Sequence, residues 1–146
     1  MRSGDGATPE WRSASVTWAA LFGVFLLSHL AGDFLLQTDW QASNKEHGLH
    51  ANPGSRRALG LHGLTYTLAF VPALVWVASD SGSLAAVGIA ALIGLPHVIV
   101  DDGGLVQVWL RQVKHVQGMP STVVRLGVDQ SLHVLSLAAV ALAVTG

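Results

Sequence analysis

The sequence predicts an all-α integral membrane protein built as an up-and-down bundle of four transmembrane helices. Four apolar stretches, at 16–36, 58–78, 84–110 and 123–144, have the length of a bilayer span, which is about 17–25 residues. Only 12% of the 146 residues are charged, whereas an ordinary soluble domain carries roughly 25%. The alternative is a soluble bundle with a very apolar core. It is disfavoured because residues 64–78 carry no charge on any face.

Within this plan, residues 1–15 are predicted to form a disordered tail and residues 16–146 a single four-span membrane domain. Pro72 predicts a kink in the second stretch. In the third stretch, Gly103 and Gly104 predict a loosened helix end that an amphipathic segment continues. A break at 118–121 precedes the last helix, which Ser121 or Thr122 is expected to cap.

The basic residues predict an orientation. Six of the eight lie in or next to the loops that follow the first and third stretches: Lys45, Arg56, Arg57, Arg111, Lys114 and Arg125. The positive-inside rule therefore places these loops in the cytoplasm and both termini outside. The net charge of −1 gives no support for binding nucleic acid.

Ionisable side chains recur inside the apolar stretches, where each costs at least about 2.5–3.5 kcal/mol on insertion scales. Three pairs are spaced four residues apart, which puts both members on one helix face. The pairs are His29 with Asp33, His97 with Asp101, and Asp129 with His133; His62 is a single addition. In an up-and-down bundle all seven fall in the same half of the bilayer.

Metal ligation is the chemistry that this set favours. Imidazole and carboxylate ligands suit zinc, iron or manganese, and the absence of cysteine excludes thiolate sites. Seven ligands exceed the four of a tetrahedral zinc. They would serve two metals about 3.5–4 Å apart, or one metal with outer carboxylates that orient its histidines. A proton relay and a purely structural polar network remain alternatives, and a haem carrier is disfavoured by the aspartates.

Several neighbouring residues are candidates for the outer layer of this site. Gln37 lies one turn beyond Asp33, and Gln130 adjoins Asp129. Asp102 competes with Asp101 for the inward position, and the four-residue spacing favours Asp101. Arg125 is expected either to pair with Asp129 or to meet a substrate phosphate. The remaining polar residues are predicted to be surface charges (Asp39, Lys45) or solvated loop histidines (His47, His50, His115).

The same residues resemble a known family. The pattern His29-x3-Asp33-Phe34-x-Leu36-Gln37, His62, His97-x3-Asp101 and Asp129-Gln130-x2-His133 resembles domain-of-unknown-function family 3307, small bacterial multi-span membrane proteins, over residues 28–137. The resemblance implies a protein of the bacterial inner (cytoplasmic) membrane and supplies no activity. This chain departs from the family where Asp101-Asp102-Gly103-Gly104 stands in place of a continuing apolar or basic helix.

These observations lead to two functional hypotheses. The first is a metal-dependent hydrolase acting on a lipid-like or phosphate-bearing substrate at the cytoplasmic leaflet, with Asp129 as a bridging ligand or general base. The histidine and aspartate content is similar to that of bacterial membrane-bound metal-dependent hydrolases. The alternative is a divalent-cation transporter, since cation exporters place similar pairs on neighbouring helices. Four spans are few for alternating access, so a transporter would have to work as a homo-oligomer, at least a dimer.

Overall fold

The structure is a computed structural model that describes residues 17–50 and 52–145. The predicted tail, 1–15, lies outside the described residues. Within them the chain is all-α and contains no strand. The helices are α1 (Trp18–Leu36), α2 (Asp39–Asn44), α3 (Pro53–Ala69), α4 (Val71–Ser81), α5 (Ser83–Asp101), α6 (Gly104–Gln112) and α7 (Thr122–Thr145).

Helix α1 changes its winding where it carries polar residues. The Thr17 side chain caps its start by accepting a hydrogen bond from the Ala20 N–H. The segment Ala31–Leu36, which includes Asp33, is π-helical. Such short π segments are rare and are frequently found at functional sites. The first helix therefore deviates from regular winding at one of the predicted metal ligands.

Three described helices, α1, α5 and α7, are long and apolar enough to cross a membrane, and α3 with α4 makes a fourth if the bent pair is one span. The bend between α3 and α4 is 53°. It falls at Phe70, just before Pro72, which has no N–H to continue the helix ladder. The kink predicted from Pro72 is confirmed.

The third apolar stretch is not one continuous helix, so its predicted extent of 84–110 is wrong. Helix α5 ends at Asp101, and Gly103 adopts a left-handed conformation with φ of 81° before α6 begins. A left-handed residue cannot continue a right-handed helix, and only glycine adopts it without a steric penalty. The loosened end predicted at the two glycines is therefore a full break.

The long helices pack as the four corners of a bundle. Helix α1 contacts α7 and the α3/α4 pair, and α5 contacts the same two partners. Many large apolar residues face outward, among them Leu35 at 80% exposure and Leu84 at 84%. Outward apolar surface on this scale is unusual for a water-soluble monomer and is consistent with a membrane protein.

The inside of the bundle is divided into two halves. One half is an apolar core in which Phe25, Phe70 and Leu137 are at most 2% exposed. The other half, nearer α2 and α6, holds the predicted histidines and aspartates. Helix α2 begins with a capping box in which Thr38 and Gln41 bond reciprocally, and it turns the chain back over the polar half.

Candidate metal centre

Four helices bring the seven predicted ligands to one place in the polar half of the bundle. Six of them are buried: His29, Asp33, His62, His97, Asp101 and His133. The seventh, Asp129, lies at the edge with 22% of its side chain exposed. We call these seven residues the His/Asp cluster. The spacing argument correctly anticipated their convergence, while their role as ligands remains a prediction.

Four ligand atoms stand close together at the centre of the cluster. His62 Nε2 lies 3.0 Å from His97 Nε2 and 2.8 Å from Asp101 Oδ2. His97 Nε2 is 3.1 Å from the same Oδ2 atom. Asp33 Oδ1 lies 3.4 Å from the His62 nitrogen and 3.7 Å from that of His97. Ligands bound about 2.0–2.1 Å from a tetrahedral zinc are about 3.3–3.4 Å apart, so these spacings are close to those of a metal's ligand set.

His133 provides an independent indication of a cation. Its Nδ1 donates to the Asp129 backbone carbonyl at 3.1 Å, which in the neutral ring leaves Nε2 with a free lone pair. That lone pair points into the cluster, 3.7 Å from Asp101 Oδ1, and has no hydrogen-bond partner among the described residues. Lys45 already pairs with Asp101 Oδ1, so the unsatisfied atom is the His133 nitrogen. A buried imidazole nitrogen without a partner is costly, and a bound cation would satisfy it.

The cluster divides into three overlapping triads of candidate ligands. They are His29 with Asp33 and His97, His62 with His97 and Asp101, and Asp101 with Asp129 and His133. Within each triad the ligand atoms lie within 4.8 Å of one another. Asp101 belongs to two triads and turns Oδ2 toward His62 and Oδ1 toward His133. The buried histidines and aspartates could therefore hold a metal ion.

Gln130 joins the outer part of the cluster, as predicted from its position. Its Oε1 accepts from His29 Nε2 at 3.0 Å, and its amide nitrogen donates to Asp33 Oδ2 at 3.3 Å and Asp129 Oδ2 at 3.1 Å. The other His29 nitrogen, Nδ1, accepts from the Tyr66 hydroxyl at 3.2 Å. Because both of its nitrogens have partners, His29 is better placed in this arrangement to orient its neighbours than to bind a metal.

The other outer candidates occupy different positions. With its amide oriented to satisfy both neighbours, Gln37 donates to the Asp33 carbonyl oxygen at 3.0 Å and accepts from Lys45 Nζ at 2.9 Å. Arg125 pairs with Glu46 at 2.6 Å. Of the two roles expected for Arg125, the pairing with Asp129 is replaced by this contact with the loop after α2, and the contact with a substrate phosphate stays a prediction.

The choice between Asp101 and Asp102 is resolved by their contacts. Asp101 faces the cluster, as the four-residue spacing predicted. Asp102 is also buried, but its Oδ1 accepts from the Leu49 N–H at 2.8 Å and its carbonyl accepts from the His47 N–H at 2.9 Å. Asp102 thus anchors the loop after α2 instead of joining the cluster. The side chains of the predicted solvated histidines, His47, His50 and His115, are exposed.

Two site residues were missed by the sequence analysis. Lys45 was expected at the surface, but its ammonium lies 2.8 Å from Asp101 Oδ1 and its side chain is only 15% exposed. That prediction is wrong because α2 folds the chain back over the polar half. Tyr66 stacks on His97 and bonds to His29. Its position four residues after His62 places it on the same helix face, and this spacing could have identified it.

A cavity of about 270 Å³ adjoins the cluster. Its charged lining comprises the carboxylates of Asp33, Glu46, Asp101 and Asp129 and the cations Lys45 and Arg125. Phe34, Val106 and Leu126 add apolar surface. The cluster is therefore accessible from a chamber with both charged and apolar walls, which is typical of a ligand-binding site.

Comparison with known proteins gives one match. The family described as "Protein of unknown function (DUF3307)" matches residues 21–146, a range that contains the whole His/Asp cluster. No curated protein and no solved structure matches the chain.

Proposed function

The chain belongs to the DUF3307 family, and we propose that it is a metal-dependent hydrolase of the membrane, acting on a lipid-like or phosphate-bearing substrate at the cytoplasmic leaflet. The observation that carries the proposal is the geometry of His133. Its tautomer is fixed by the Asp129 carbonyl, and its free Nε2 faces the Asp101 carboxylate in a buried site. Histidines that bind metals are typically oriented in this way.

Zinc is the proposed metal, with iron and manganese as alternatives. His62, His97, Asp101 and Asp33 supply two imidazoles and two carboxylates with near-tetrahedral spacing. This number and type of ligand suit zinc. A divalent cation held there would supply Lewis acidity and would activate water for hydrolysis. His133 is a further proposed ligand through its free Nε2, whereas His29 orients its neighbours and Asp129 is assigned to proton transfer.

Asp129 is the proposed general base. It lines the cavity and is the most accessible carboxylate of the His/Asp cluster. Gln130 donates to its Oδ2, which holds the carboxylate at the boundary between cluster and cavity. A base must be within hydrogen-bond reach of the proton it removes, and Asp129 borders the cavity in which a substrate or water would lie.

The proposed setting is the bacterial inner membrane, with four spans and both termini outside. In this arrangement α3 and α4 form one broken span, and the polar half of the bundle lies toward the cytoplasm. Support comes from the basic residues near that half. Lys45 precedes α3, Arg56 and Arg57 lie in its first turns, and Arg111 and Lys114 follow α5. A lipid substrate would approach from the inner leaflet.

Transport of a divalent cation is a weaker candidate. The histidine–aspartate pairs on neighbouring helices could bind a transported cation. The other half of the bundle, however, is filled by apolar side chains, among them Phe25, Phe70 and Leu137, each at most 2% exposed. In this conformation a cation in the cluster would face an apolar core on the far side. A homodimer could supply a second route, so flux in sealed vesicles remains the deciding measurement.

Elemental analysis of the full chain in mild detergent tests the metal. The wild type is expected to retain zinc, and His62→Ala and His133→Ala to lose it; Asp39→Asn, on exposed α2, is the matched control. Asp129→Asn is expected to keep the metal and to lose hydrolysis of phosphoester or lipid substrates. Unchanged metal in both histidine variants would contradict the site. Zinc flux that depends on His97, without hydrolysis, would favour the transporter.

A further inference from the structure

Two positively charged side chains line the cavity and are not among the proposed metal ligands. Lys45 comes from the end of α2 and Arg125 from the first turn of α7. In this structure each is held by a carboxylate, Lys45 by Asp101 at 2.8 Å and Arg125 by Glu46 at 2.6 Å. The N-terminal turn of α7, which includes Thr122, also lines the cavity. A helix N-terminus favours negative charge because its amides are free and its dipole is positive.

The charge of the cavity depends on the metal. Four carboxylates line it, from Asp33, Glu46, Asp101 and Asp129, against the two cations. With neutral histidines the formal charge is therefore −2, and an anion is repelled. One divalent ion makes the cavity neutral, and two give it a charge of +2. Anion binding is thus expected to follow metal binding.

Lys45 and a metal compete for the same carboxylate. Lys45 Nζ contacts Asp101 Oδ1, while His62 and His97 converge on Asp101 Oδ2. A divalent cation bound by these histidines would partly neutralise the Asp101 carboxylate, and the attraction between that carboxylate and the Lys45 ammonium would weaken. Lys45 then has hydrogen-bond donors to offer to another anion, and its flexible stem allows it to turn toward the cavity.

We propose that Lys45 and Arg125 form a subsite for the phosphate group of the substrate, and that this subsite becomes competent only when the metal is bound. The inference rests on the proposed function and deepens it by assigning the substrate class and the order of binding. Phe34, Val106 and Leu126 give the cavity apolar walls beside this subsite. An apolar chain attached to the phosphate would contact them, whereas inorganic phosphate would not.

Calorimetric titration of the full chain in a phosphate-free maltoside detergent tests this proposal. The probes are inorganic phosphate and dihexanoyl phosphatidic acid, each added to zinc-loaded and to metal-free protein. Both are expected to bind only the zinc-loaded form. Tighter binding of phosphatidic acid would assign the subsite to a lipid headgroup, and equal binding would assign it to a free phosphate group.

Variants separate the phosphate subsite from the metal site. Lys45→Met and Arg125→Gln are each expected to weaken phosphate binding at least about tenfold, the effect of losing one charge-assisted hydrogen bond. Their zinc content should be unchanged, and Lys45→Met should bind zinc as tightly as the wild type or more tightly, because it lacks the competing ammonium. Glu46→Gln, the control, should bind phosphate at least as well.

The failures of the two proposals are distinguishable. Zinc binding without phosphate binding would overturn this inference alone, as would equal phosphate binding by metal-free protein or by both cation variants. A chain that binds no divalent metal would overturn the proposed function and this inference with it.

Discussion

Tyr66 and His97 stack face to face, with ring centroids 3.3 Å apart and ring planes only 5° from parallel. The Tyr66 hydroxyl also donates to His29 Nδ1 at 3.2 Å. One side chain of α3 therefore fixes the orientation of imidazoles from two other helices. Since His62 lies one turn before Tyr66, α3 supplies both a candidate ligand and the residue that positions its neighbours.

Replacing Tyr66 is expected to weaken metal binding through this positioning role. Tyr66→Ala removes both the stack and the hydroxyl, and zinc affinity should fall about 10–100-fold, as for other residues that orient metal ligands. Tyr66→Phe keeps the stack and should cause a smaller loss. Competition with a chelating dye measures both affinities. Wild-type affinity in Tyr66→Ala would mean that the tyrosine only fills space.

Gly32 allows α1 to approach Tyr66 closely. A Cβ at Gly32 would lie 2.7 Å from Tyr66 Cδ2 and 3.4 Å from its Cα, so Gly32→Ala forces either the Tyr66 ring or the helix backbones to shift. We expect a loss of about 1–3 kcal/mol in the free energy of unfolding, the usual cost of overpacking, and weaker zinc binding. Gly23→Ala in the same helix is the control, since nothing lies within 4 Å of its Cβ. Equal thermal unfolding midpoints for the two variants in detergent would contradict the close approach.

The helix faces of the site could be predicted from the sequence because a helix has a fixed period. Spacing alone placed His97 and Asp101 on one face and favoured Asp101 over Asp102, and the contacts agree. Pro72 indicated the bend in the second span for an equally local reason, its missing N–H. Rules of this kind predict features that depend on one helix alone, such as which side chains share a face and where a proline bends the chain.

Contacts made by the segment after α1 could not be predicted in this way. Lys45 reaches Asp101 only because α2 reverses the chain, and its long apolar stem lets a buried ammonium approach from the surface. Glu46 forms an ion pair with Arg125 because the same reversal of the chain brings it over the polar half of the bundle. Helix α5 ends at Asp101 because Gly103 adopts a left-handed backbone conformation. Two consecutive glycines permit this conformation but do not require it, so the sequence alone did not predict a full break.

Asp101 and Asp102 form a natural matched pair for mutation. Asp101→Asn removes the charge that Lys45, His62 and His97 share, so zinc binding should be lost. Asp102→Asn leaves an amide oxygen that can still accept from the Leu49 N–H, so zinc affinity should be unchanged. Elemental analysis after dialysis compares the two. Equal metal loss in both variants would indicate a general folding defect.

Metal binding should stabilise the folded protein and should depend on pH. At a zinc concentration 100 times the dissociation constant, the expected gain is about 2.7 kcal/mol, and a chelator should reverse it. Imidazoles and carboxylates bind metals only when deprotonated, so acid must weaken the site and shrink the gain. Thermal unfolding in detergent at pH 8 and pH 5, with and without zinc, measures this. His62→Ala should respond to zinc at neither pH, and a zinc effect that is larger at pH 5 would contradict ligation by these side chains.

The orientation in the membrane can be tested with single cysteines, because the chain has none of its own. Ser43 is exposed in α2 beside the polar half of the bundle, and Ser83 is exposed at the start of α5, at the opposite end. If the basic loops are cytoplasmic, a membrane-impermeant maleimide should label Ser83→Cys in intact spheroplasts and Ser43→Cys only after permeabilisation. The reverse pattern would place the His/Asp cluster on the outer side and rule out a substrate from the cytoplasmic leaflet. Equal labelling of both in intact spheroplasts would contradict the proposed spans, because two ends of a spanning bundle cannot face the same solution.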